Sequence, residues 1–348
     1  MFRMKLIFWG SISMTTKVLI IAEAGVNHNG DIGLAKDLID VAAESGSDFV
    51  KFQTFRADDL VTPSASKAPY QIEKSIVDES QYDLLKRLEL TENMHYELIE
   101  HANKAGIQFL STGFDISSVK FLIGLGQNLI KIPSGEITNL PYLEYVGALN
   151  KKIILSTGMA TIEEVKKAVE IIISAGTPRD LLTVLHCTTE YPTPMSHVNL
   201  LAMVAMREAL GVNIGYSDHT LGIEVAVAAV ALGAQVIEKH FTLDRRLPGP
   251  DHLASLMPLE LKEMVGSIRN IEIALGAPEK QPTEHEIINR SAVRKSLVAR
   301  CAIGAGEEFT LDNLAVMRPG TGISPMRWHE ILGSKAPRQF SPNELIDL

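Results

Sequence analysis

The stretch VLIIAEAGVNHNGDIGLAKDLIDVAAESGSDFVKFQT, residues 18–54, carries the pattern that decides the fold. An apolar, β-forming run (Val18–Glu23) is followed by apolar side chains at helical spacing (Ile32–Ser45) and then by a second apolar run (Phe49–Gln53). Alternating strand and helix patterns are typical of parallel strands joined by crossover helices. The stretch therefore predicts the first βαβ unit of an α/β protein.

The same alternation continues along the chain and gives eight β-rich runs. They are Val18–Glu23, Phe49–Gln53, Ile107–Ser111, Leu129–Ile132, Ile153–Ser156, Thr183–Cys187, Asn213–Tyr216 and Gln235–Lys239. Segments between them, such as Ile162–Ala175, show helical spacing. Eight units predict a closed (β/α)₈ TIM barrel, whose usual size is about 250 residues. An open doubly wound sheet is the alternative, although no glycine fingerprint follows the first strand.

Changes of texture predict the domain boundaries. Residues 1–16 form an N-terminal tail, because their short apolar run lacks the length and the cleavage site of a signal peptide. The barrel is expected over residues 17–277, a polar linker with two prolines over 278–286, and a small domain rich in glycine turns over 287–348. The connection Thr54–Gly106 is long enough to predict a functional loop.

The composition narrows the class of protein. Of 348 residues, 46% are hydrophobic and 22% charged, as in a globular protein with a large core. The net charge of −9 argues against a nucleic-acid partner, and no run approaches the roughly 18 apolar residues that span a membrane. Two cysteines, Cys187 and Cys301, form no disulfide framework, which favours a reducing, cytoplasmic location.

Polar side chains stand at the predicted carboxyl ends of the strands, where barrel enzymes place their catalytic groups. Two lysines with several hydroxyl groups indicate a site for a compact dianion. The residues concerned are Lys51, Thr112, Lys131, Ser134, Ser156 and Ser217. The alternative interpretation is that one lysine merely pairs with a barrel carboxylate such as Glu23.

Two histidines, His219 and His240, end neighbouring predicted strands. With the carboxylates of Glu136 and Asp251 nearby in the fold, they predict a site for a divalent transition metal with open positions. A zincin protease is excluded because no His-Glu-x-x-His is present, and Ser217 does not lie in a nucleophile elbow.

Two other classes of function stay open on the residues alone. A Schiff-base aldolase would use Lys51 or Lys131 as its nucleophile. A protein without catalysis would use the small domain to bind carbohydrate or ice, although a binding scaffold needs no buried pair of lysines.

Several motifs, in order, resemble the bacterial N-acetylneuraminate (sialic acid) synthase family, including legionaminic acid synthases. They are Ala-Glu-Ala-Gly-Val-Asn-His-Asn-Gly-Asp (22–31), Val-Lys-Phe-Gln-Thr-Phe (50–55), Lys-Ile-Pro-Ser-Gly-Glu (131–136), Ser-Thr-Gly-Met-Ala (156–160), Thr-Glu-Tyr-Pro-Thr-Pro (189–194), Ser-Asp-His-Thr (217–220), Glu-Lys-His-Phe-Thr (238–242) and Gly-Pro-Asp-His-Leu-Ala-Ser (249–255). The stretch Arg-Pro-Gly-Thr-Gly-Ile-Ser-Pro (318–325) resembles the antifreeze-like (SAF) domain that ends members of that family.

The resemblance implies a reaction in which phosphoenolpyruvate, N-acetylmannosamine and water give N-acetylneuraminate and phosphate. It implies Mn²⁺, with Mg²⁺ tolerated, and a domain-swapped homodimer in which each antifreeze-like domain caps the partner's barrel. The alternative substrate is 2,4-diacetamido-2,4,6-trideoxymannose, which would give N,N'-diacetyllegionaminate. Gly113 stands where many neuraminate synthases have proline, and in this it resembles family members that make legionaminic acid. Because the trideoxy sugar lacks a 6-hydroxyl group, its subsite is expected to be more apolar.

The resemblance also implies roles for the site residues. A metal on His219 and His240 would activate the sugar aldehyde, and Glu136 would be the general base for water. Phosphoenolpyruvate would be held by the lysines and hydroxyl residues named above. Glu23 would act at the reacting centre, and Glu23, Gln53, Tyr191, Asp251 and the partner's Arg318 would contact the sugar. The family often has Asn two or three residues before the tyrosine, where this chain has Thr188 and Thr189, and a phosphate contact there is therefore not carried over to the site residues above.

Overall fold

The computed structural model describes residues 17–67 and 80–348. The chain divides into two compact units, Met1–Gly276 and Ala277–Leu348, a division one residue before the end of the predicted barrel domain. The predicted tail, residues 1–16, lies outside the described residues. Over the described ranges, no helix combines the length and the apolar character needed to cross a bilayer.

Eight parallel strands form the sheet of the first unit. They are β1 Leu19–Gly25, β2 Phe49–Thr54, β3 Gln108–Gly113, β4 Leu129–Ile132, β5 Lys152–Ser156, β6 Leu182–His186, β7 Asn213–Asp218 and β8 Val236–His240. The hydrogen-bonded order is β3-β2-β1-β8-β7-β6-β5-β4, so neighbours follow the sequence and β1 pairs with β8. That order is a barrel and excludes the doubly wound alternative. All eight predicted strands are confirmed.

The barrel closes between β3 and β4, which lie side by side. A side chain replaces part of the backbone ladder there. The amide of Gln127, just before β4, donates to the carbonyl of Ser111 at 2.9 Å and accepts from its N–H at 2.8 Å. These two bonds satisfy both backbone groups of Ser111, which a central strand requires.

Helices cover the outside of the barrel. Their bounds are α1 Ile32–Ser45, α2 Ala57–Leu60, α3 Gln81–Leu88, α4 Glu92–Ala105, α5 Ile116–Gly124, α6 Leu140–Ala148, α7 Ile162–Ala175, α8 Leu201–Leu210, α9 Glu224–Ala231 and α10 Pro258–Leu275, with short 3₁₀ helices at Ser134–Glu136, Arg179–Leu181, Met195–His197 and His252–Ala254. Local signals set the boundaries: Asp31 caps α1, Gly46 ends it with a φ of 81°, and Thr161 forms a capping box with Glu164 at α7.

The two faces of each strand bury different groups. Outward side chains such as Ile20, Val50 and Ile237 join the helices in the main apolar core. Inward side chains form a separate apolar layer, made of Ile21, Leu110, Ile154, Leu185 and Val236. Because successive residues of a strand alternate between faces, the residues two positions further along the strands also point inward. Four of these five residues, Glu23, Thr112, Ser156 and Glu238, are polar, so the site lies above this apolar layer, at the carboxyl ends of the strands.

The connection between β2 and β3 is structured over its described parts. It contains α2, α3 and α4, and polar contacts tie α2 to α3. Asp58 accepts from the hydroxyl of Tyr82 at 2.5 Å and from Lys86 at 3.1 Å, and Glu89 accepts from the N–H of Ala57 at 2.6 Å. The short helix α2 is thereby fixed against the following helix.

The second unit has its own core. It contains α11 Glu284–Val293, β9 Ser296–Ala299, β10 Leu314–Met317, a 3₁₀ turn Pro325–Arg327 and α12 Trp328–Ile331, with β9 and β10 antiparallel. Phe309, Phe340 and Leu297 are fully buried in its apolar cluster. The predicted linker, residues 278–286, overlaps the first turn of α11, because Thr283 and Glu286 form a capping box that begins the helix there.

A buried ion pair between the outward-facing side chains of β7 and β8 provides a test of the fold. Lys239 donates to Asp218 at 2.7 Å and to the carbonyl of Thr220 at 2.6 Å, with both charged side chains fully buried. We expect Lys239→Met to lower the free energy of unfolding by about 3–5 kcal/mol, because Asp218 is left buried and unpaired. Urea unfolding followed by far-UV circular dichroism measures this. Adding Asp218→Asn should recover part of the loss; equal stability of Lys239→Met and the wild type would contradict the expectation.

Candidate active site

A cavity of about 360 Å³ opens at the carboxyl ends of the barrel strands, within the size range of small-molecule sites. The predicted site residues of the barrel all line it: Glu23, Lys51, Gln53, Thr112, Lys131, Ser134, Glu136, Ser156, Tyr191, Ser217, His219, His240 and Asp251. Arg318 lies in the second unit, where its exposed guanidinium donates to the carbonyl of Val293 at 3.0 Å.

A chain of four charged groups crosses the floor of the cavity. Lys51 Nζ lies 2.6 Å from a carboxylate oxygen of Glu23 and 3.6 Å from one of Glu238. Lys131 Nζ lies 3.4 Å from the other oxygen of Glu238. Lys51 therefore pairs with the barrel carboxylate Glu23, as the alternative interpretation of the lysines predicts. It also donates to Thr112 at 3.0 Å and lines the cavity. We call these four residues the ion chain.

Glu238 is not among the predicted site residues, although it links the two lysines. The sequence contains a signal for it. His240 is predicted to point into the barrel, so Glu238, two residues earlier on the same strand, shares that face, while Lys239 points outward. Ser217 and His219 stand in the same relation on β7, and Ser217 donates to Glu238 at 3.1 Å.

Burial and mutual pairing set the charges of the ion chain. Burial alone would raise the pKa of Glu238, but Lys131 and Lys51 lower it to about 2. Burial would lower the pKa of Lys51, but Glu23 and Glu238 outweigh it and raise the pKa above its usual value. Burial lowers the pKa of Lys131 despite Glu238. Glu23 is the exception: burial raises its pKa to about 7 although Lys51 opposes the shift. Its protonation therefore changes near neutral pH.

The two imidazoles lie together beside the ion chain, with ring centroids 5.5 Å apart. His219 Nδ1 lies 2.6 Å from the carbonyl of Thr188, so Nδ1 donates and Nε2 keeps its lone pair. The ring of Tyr191 lies over that of His219 at 4.1 Å. These contacts fix the imidazole, and His219 Nε2 lies near Ser217 Oγ at 3.4 Å.

The histidines are in the protonation state that binds metal ions. Burial lowers the pKa of His219 to about 4 and that of His240 well below its usual value. His240 Nδ1 is buried, makes no hydrogen bond within the described residues, and lies 3.9 Å from an Asp251 oxygen. Over residues 17–67 and 80–348, no three His, Cys, Asp or Glu side chains form a ready metal cluster. Two neutral imidazoles fit a divalent cation whose other positions stay open.

Small groups line the side of the cavity formed by β4, β5 and β6. Ser134 Oγ accepts from the N–H of Gly158 at 2.9 Å and lies 3.5 Å from Cys187 Sγ. A Cβ at Gly158 would lie 2.2 Å from Thr189 Oγ1, so a larger residue there would require the Thr189 side chain to move. Thr189 also lines the cavity. Hydroxyl and amide groups therefore converge on this side.

Glu136 lies at the edge of the same side, in the 3₁₀ turn that follows β4. Its carboxylate accepts from Asn139 Nδ2 at 2.6 Å and is partly exposed in the cavity wall. The carboxylate is held in place and open to water, which suits the predicted role of general base.

Apolar side chains line the opposite side of the cavity and are absent from the predicted site. We call this set the apolar wall: Val26, Leu60, Val61, Leu84, Leu85, Leu88 and Phe114. Most of it comes from α2 and α3. No motif marks these residues in the sequence; the only signals are the length of the connection and the apolar spacing of α3.

The barrel, with polar and charged side chains around a cavity at the carboxyl ends of its strands, has the arrangement of a barrel enzyme. Residues 38–280 match the NeuB family and residues 294–348 the SAF domain. The chain is 54% identical to N,N'-diacetyllegionaminic acid synthase of Campylobacter jejuni, over 95% of this chain and 99% of the relative, and 49% identical to that of Legionella pneumophila, over 92% and 91%. An N-acetylneuraminic acid synthetase of Leptospira borgpetersenii superposes with a TM-score of 0.69 at 34% identity, over 80% of this chain and 93% of that one. The chain belongs to the NeuB family.

The raised pKa of Glu23 predicts a dependence of stability on pH. A carboxyl group with a folded pKa near 7 and an ordinary unfolded pKa of 4.5 stabilises the fold below about pH 4.5 and loses that contribution as the pH rises through 7. Glu23→Gln removes this titration. We therefore expect the stability of Glu23→Gln relative to the wild type to increase by on the order of 2–3 kcal/mol between pH 4.5 and 8.

Urea unfolding of both proteins over this pH range makes the measurement. The exposed Glu208→Gln serves as the control and should show no such trend. A difference between Glu23→Gln and the wild type that is independent of pH would show that Glu23 titrates normally.

Proposed function

We propose that the protein is an N,N'-diacetyllegionaminate synthase, which condenses phosphoenolpyruvate with 2,4-diacetamido-2,4,6-trideoxymannose and water to give N,N'-diacetyllegionaminate and phosphate. The observation that carries the proposal is the identity of 54% and 49% to two such synthases over nearly the whole chain. The sequence motifs predict N-acetylmannosamine as the first choice of sugar; the relatives favour the trideoxy sugar instead. The two reactions are of the same phosphoenolpyruvate-condensing type.

The dianion is assigned to the floor and the hydroxyl side of the cavity. Lys131 and Lys51 supply positive charge, and the Ser134 hydroxyl with the neighbouring Gly158 region supplies hydrogen bonds. Glu238 is ionised and already neutralises part of the lysine charge. Protonation of Glu23 therefore leaves the ion chain with a net positive charge, which favours binding of phosphate and carboxylate.

The imidazole pair is assigned to a divalent cation, Mn²⁺ or Mg²⁺. Held by His219 and His240, such a cation would polarise the carbonyl of the sugar. The protein's part is to keep both rings neutral through burial and to fix His219 through Thr188 and Tyr191.

The proposed chemistry balances with the residues present. Carbon 3 of phosphoenolpyruvate bonds to the aldehyde carbon of the sugar, and the aldehyde oxygen takes a proton, for which Glu23, with a pKa near 7, is the source. Water bonds to carbon 2 and gives its proton to Glu136. The bond between carbon 2 and the phosphate oxygen then breaks, and the new hydroxyl on carbon 2 passes its proton to the departing phosphate, which leaves the keto group.

The same geometry disfavours a Schiff-base aldolase at Lys51. A nucleophilic lysine must lose its proton, whereas the two carboxylates raise the pKa of Lys51. The pKa of Lys131 is lowered by burial, which makes Lys131 the better nucleophile of the two lysines. A test for a Schiff base should therefore look for a trapped adduct on Lys131.

We propose further that the enzyme is a cytoplasmic homodimer in which the second unit of the partner covers the cavity and supplies Arg318. Exposed apolar side chains in the loops after β5 to β8 support this: Met159, Met195, Leu221 and Leu253. The second unit exposes Ile288, Val293 and Met317. The cysteines, a buried Cys187 and an exposed Cys301, are both free, which suits a reducing compartment.

The central test measures phosphate release and product mass with phosphoenolpyruvate and either sugar. We expect kcat/KM to be at least about 100-fold higher with the trideoxy sugar than with N-acetylmannosamine. EDTA should abolish turnover and Mn²⁺ should restore it, whereas His219→Ala should not respond to Mn²⁺. Borohydride with pyruvate should leave no adduct on Lys131. Turnover that survives EDTA, or an adduct, would overturn the metal-dependent condensation.

The dimer predicts complementation between two inactive variants. Lys131→Met damages the barrel site, and Arg318→Ala damages the residue proposed to act on the partner. In co-expressed protein, half of the dimers are mixed and each has one intact site, so about a quarter of the wild-type activity should return. If Arg318 acts on its own barrel, co-expression restores nothing, and if it has no role in the site, Arg318→Ala alone keeps the wild-type activity; either result would contradict the exchange between subunits.

A further inference from the structure

We infer that the apolar wall recognises the methyl group at carbon 6 of the sugar, and so selects 6-deoxy sugars over 6-hydroxy sugars. The inference rests on the proposed function, because it assigns a role to one side of the same cavity. It goes beyond that function in naming the residues, from the connection between β2 and α4, that determine the choice of sugar.

The wall is built from one face of a helix. Along α3, Leu84, Leu85 and Leu88 lie on one side, where Leu84 and Leu88 are buried and Leu85 is partly buried. Tyr82 and Lys86 lie on the other side and reach Asp58 of α2. The polar contacts therefore hold the leucines of α3 toward the cavity.

A small core of its own supports the wall. Val26, Phe55, Leu84 and Leu88 form a buried cluster, against which Leu60, Leu85 and Phe114 pack. The rings of Phe55 and Phe114 meet edge to face, with centroids 5.9 Å apart. Such packing holds these side chains together in one apolar surface.

The wall begins next to the imidazole pair. Gly25, which precedes Val26, lies against His240 and Gln53: a Cβ on it would be 3.4 Å from His240 Cε1 and 3.3 Å from Gln53 Nε2. The hydroxyl and amide groups for the dianion come from β4, β5 and β6, on the other side of the barrel. A sugar whose aldehyde carbon lies at the imidazoles, with the dianion on the hydroxyl side, thus has the wall available for its far end.

The chemistry of the wall distinguishes a methyl group from a hydroxymethyl group. A methyl group placed against Leu60 and Leu85 leaves water for an apolar surface, which is favourable. A hydroxyl group placed there loses its water and finds no donor or acceptor among the residues of the wall, which is costly. Of the four α3 side chains that line the cavity, three are leucines and one, Gln81 at the start of the helix, is polar.

The experiment uses two sugars that differ only at carbon 6: N-acetylmannosamine and its 6-deoxy form, each with phosphoenolpyruvate and Mn²⁺. We expect the wild-type enzyme to prefer the 6-deoxy sugar by about 10- to 100-fold in kcat/KM. Leu85→Gln and, separately, Leu60→Gln should lower this ratio about 5- to 10-fold by providing an amide partner for the hydroxyl. Both leucines are partly exposed, so the fold should tolerate either change.

Leu149→Gln is the matched control. Leu149 is also partly buried, but it caps the C-terminal end of α6 and does not line the cavity. Its ratio should equal that of the wild type. A wild-type ratio near one, or a ratio unchanged in both wall variants, would overturn the assignment of the wall while leaving the condensation intact. Absence of product with these two sugars and with the diacetamido sugar would instead overturn the proposed function.

Discussion

The ion chain of Glu23, Lys51, Glu238 and Lys131 is the interaction on which the site depends. Four charged side chains, each almost fully buried, would be costly to remove from water one at a time. Alternating signs and short contacts offset that cost only if four strands, β1, β2, β4 and β8, hold their side chains in register. The closed barrel provides this register, because each strand is paired or packed on both sides. The same chain then leaves a lysine at each end of Glu238 for a dianion.

The pleat of the parallel strands explains why much of this was predictable from the sequence. Eight strand runs could be located by their apolar pattern, and the polar residue at each strand end marked the rim of one cavity. The assignment of Glu238 needed one more step, since alternation gives it the same face as His240 and gives Lys239 the other. Asp218 and Lys239 then pair on the outside, where they support the helices rather than the site.

Features that depend on distant contacts could not be predicted in the same way. The seam between β3 and β4 is bridged by Gln127. This role could be predicted only if it were known that the backbone of Ser111 has no partner on β4. The apolar wall requires knowing that α3 folds over the cavity. Even a clear amphipathic pattern in Gln81–Leu88 gives the apolar face but not what that face covers. Thr189 likewise reaches the cavity only because Gly158 leaves room for it.

The division of the cavity separates two tasks that one fold must perform. Most of the groups assigned to the reacting atoms stand on strand ends, where a shift of one residue would turn a side chain out of the barrel, and Glu136 stands in the 3₁₀ turn just after β4. The apolar wall stands on an inserted pair of helices fastened by Asp58, Tyr82 and Glu89, none of which belongs to a strand. On the proposed assignment of the apolar wall, a change of side chain on those helices would alter what lies against the far end of the sugar, while the ion chain and the imidazoles belong to other elements. The choice of sugar can therefore vary on this scaffold while the condensation chemistry stays fixed.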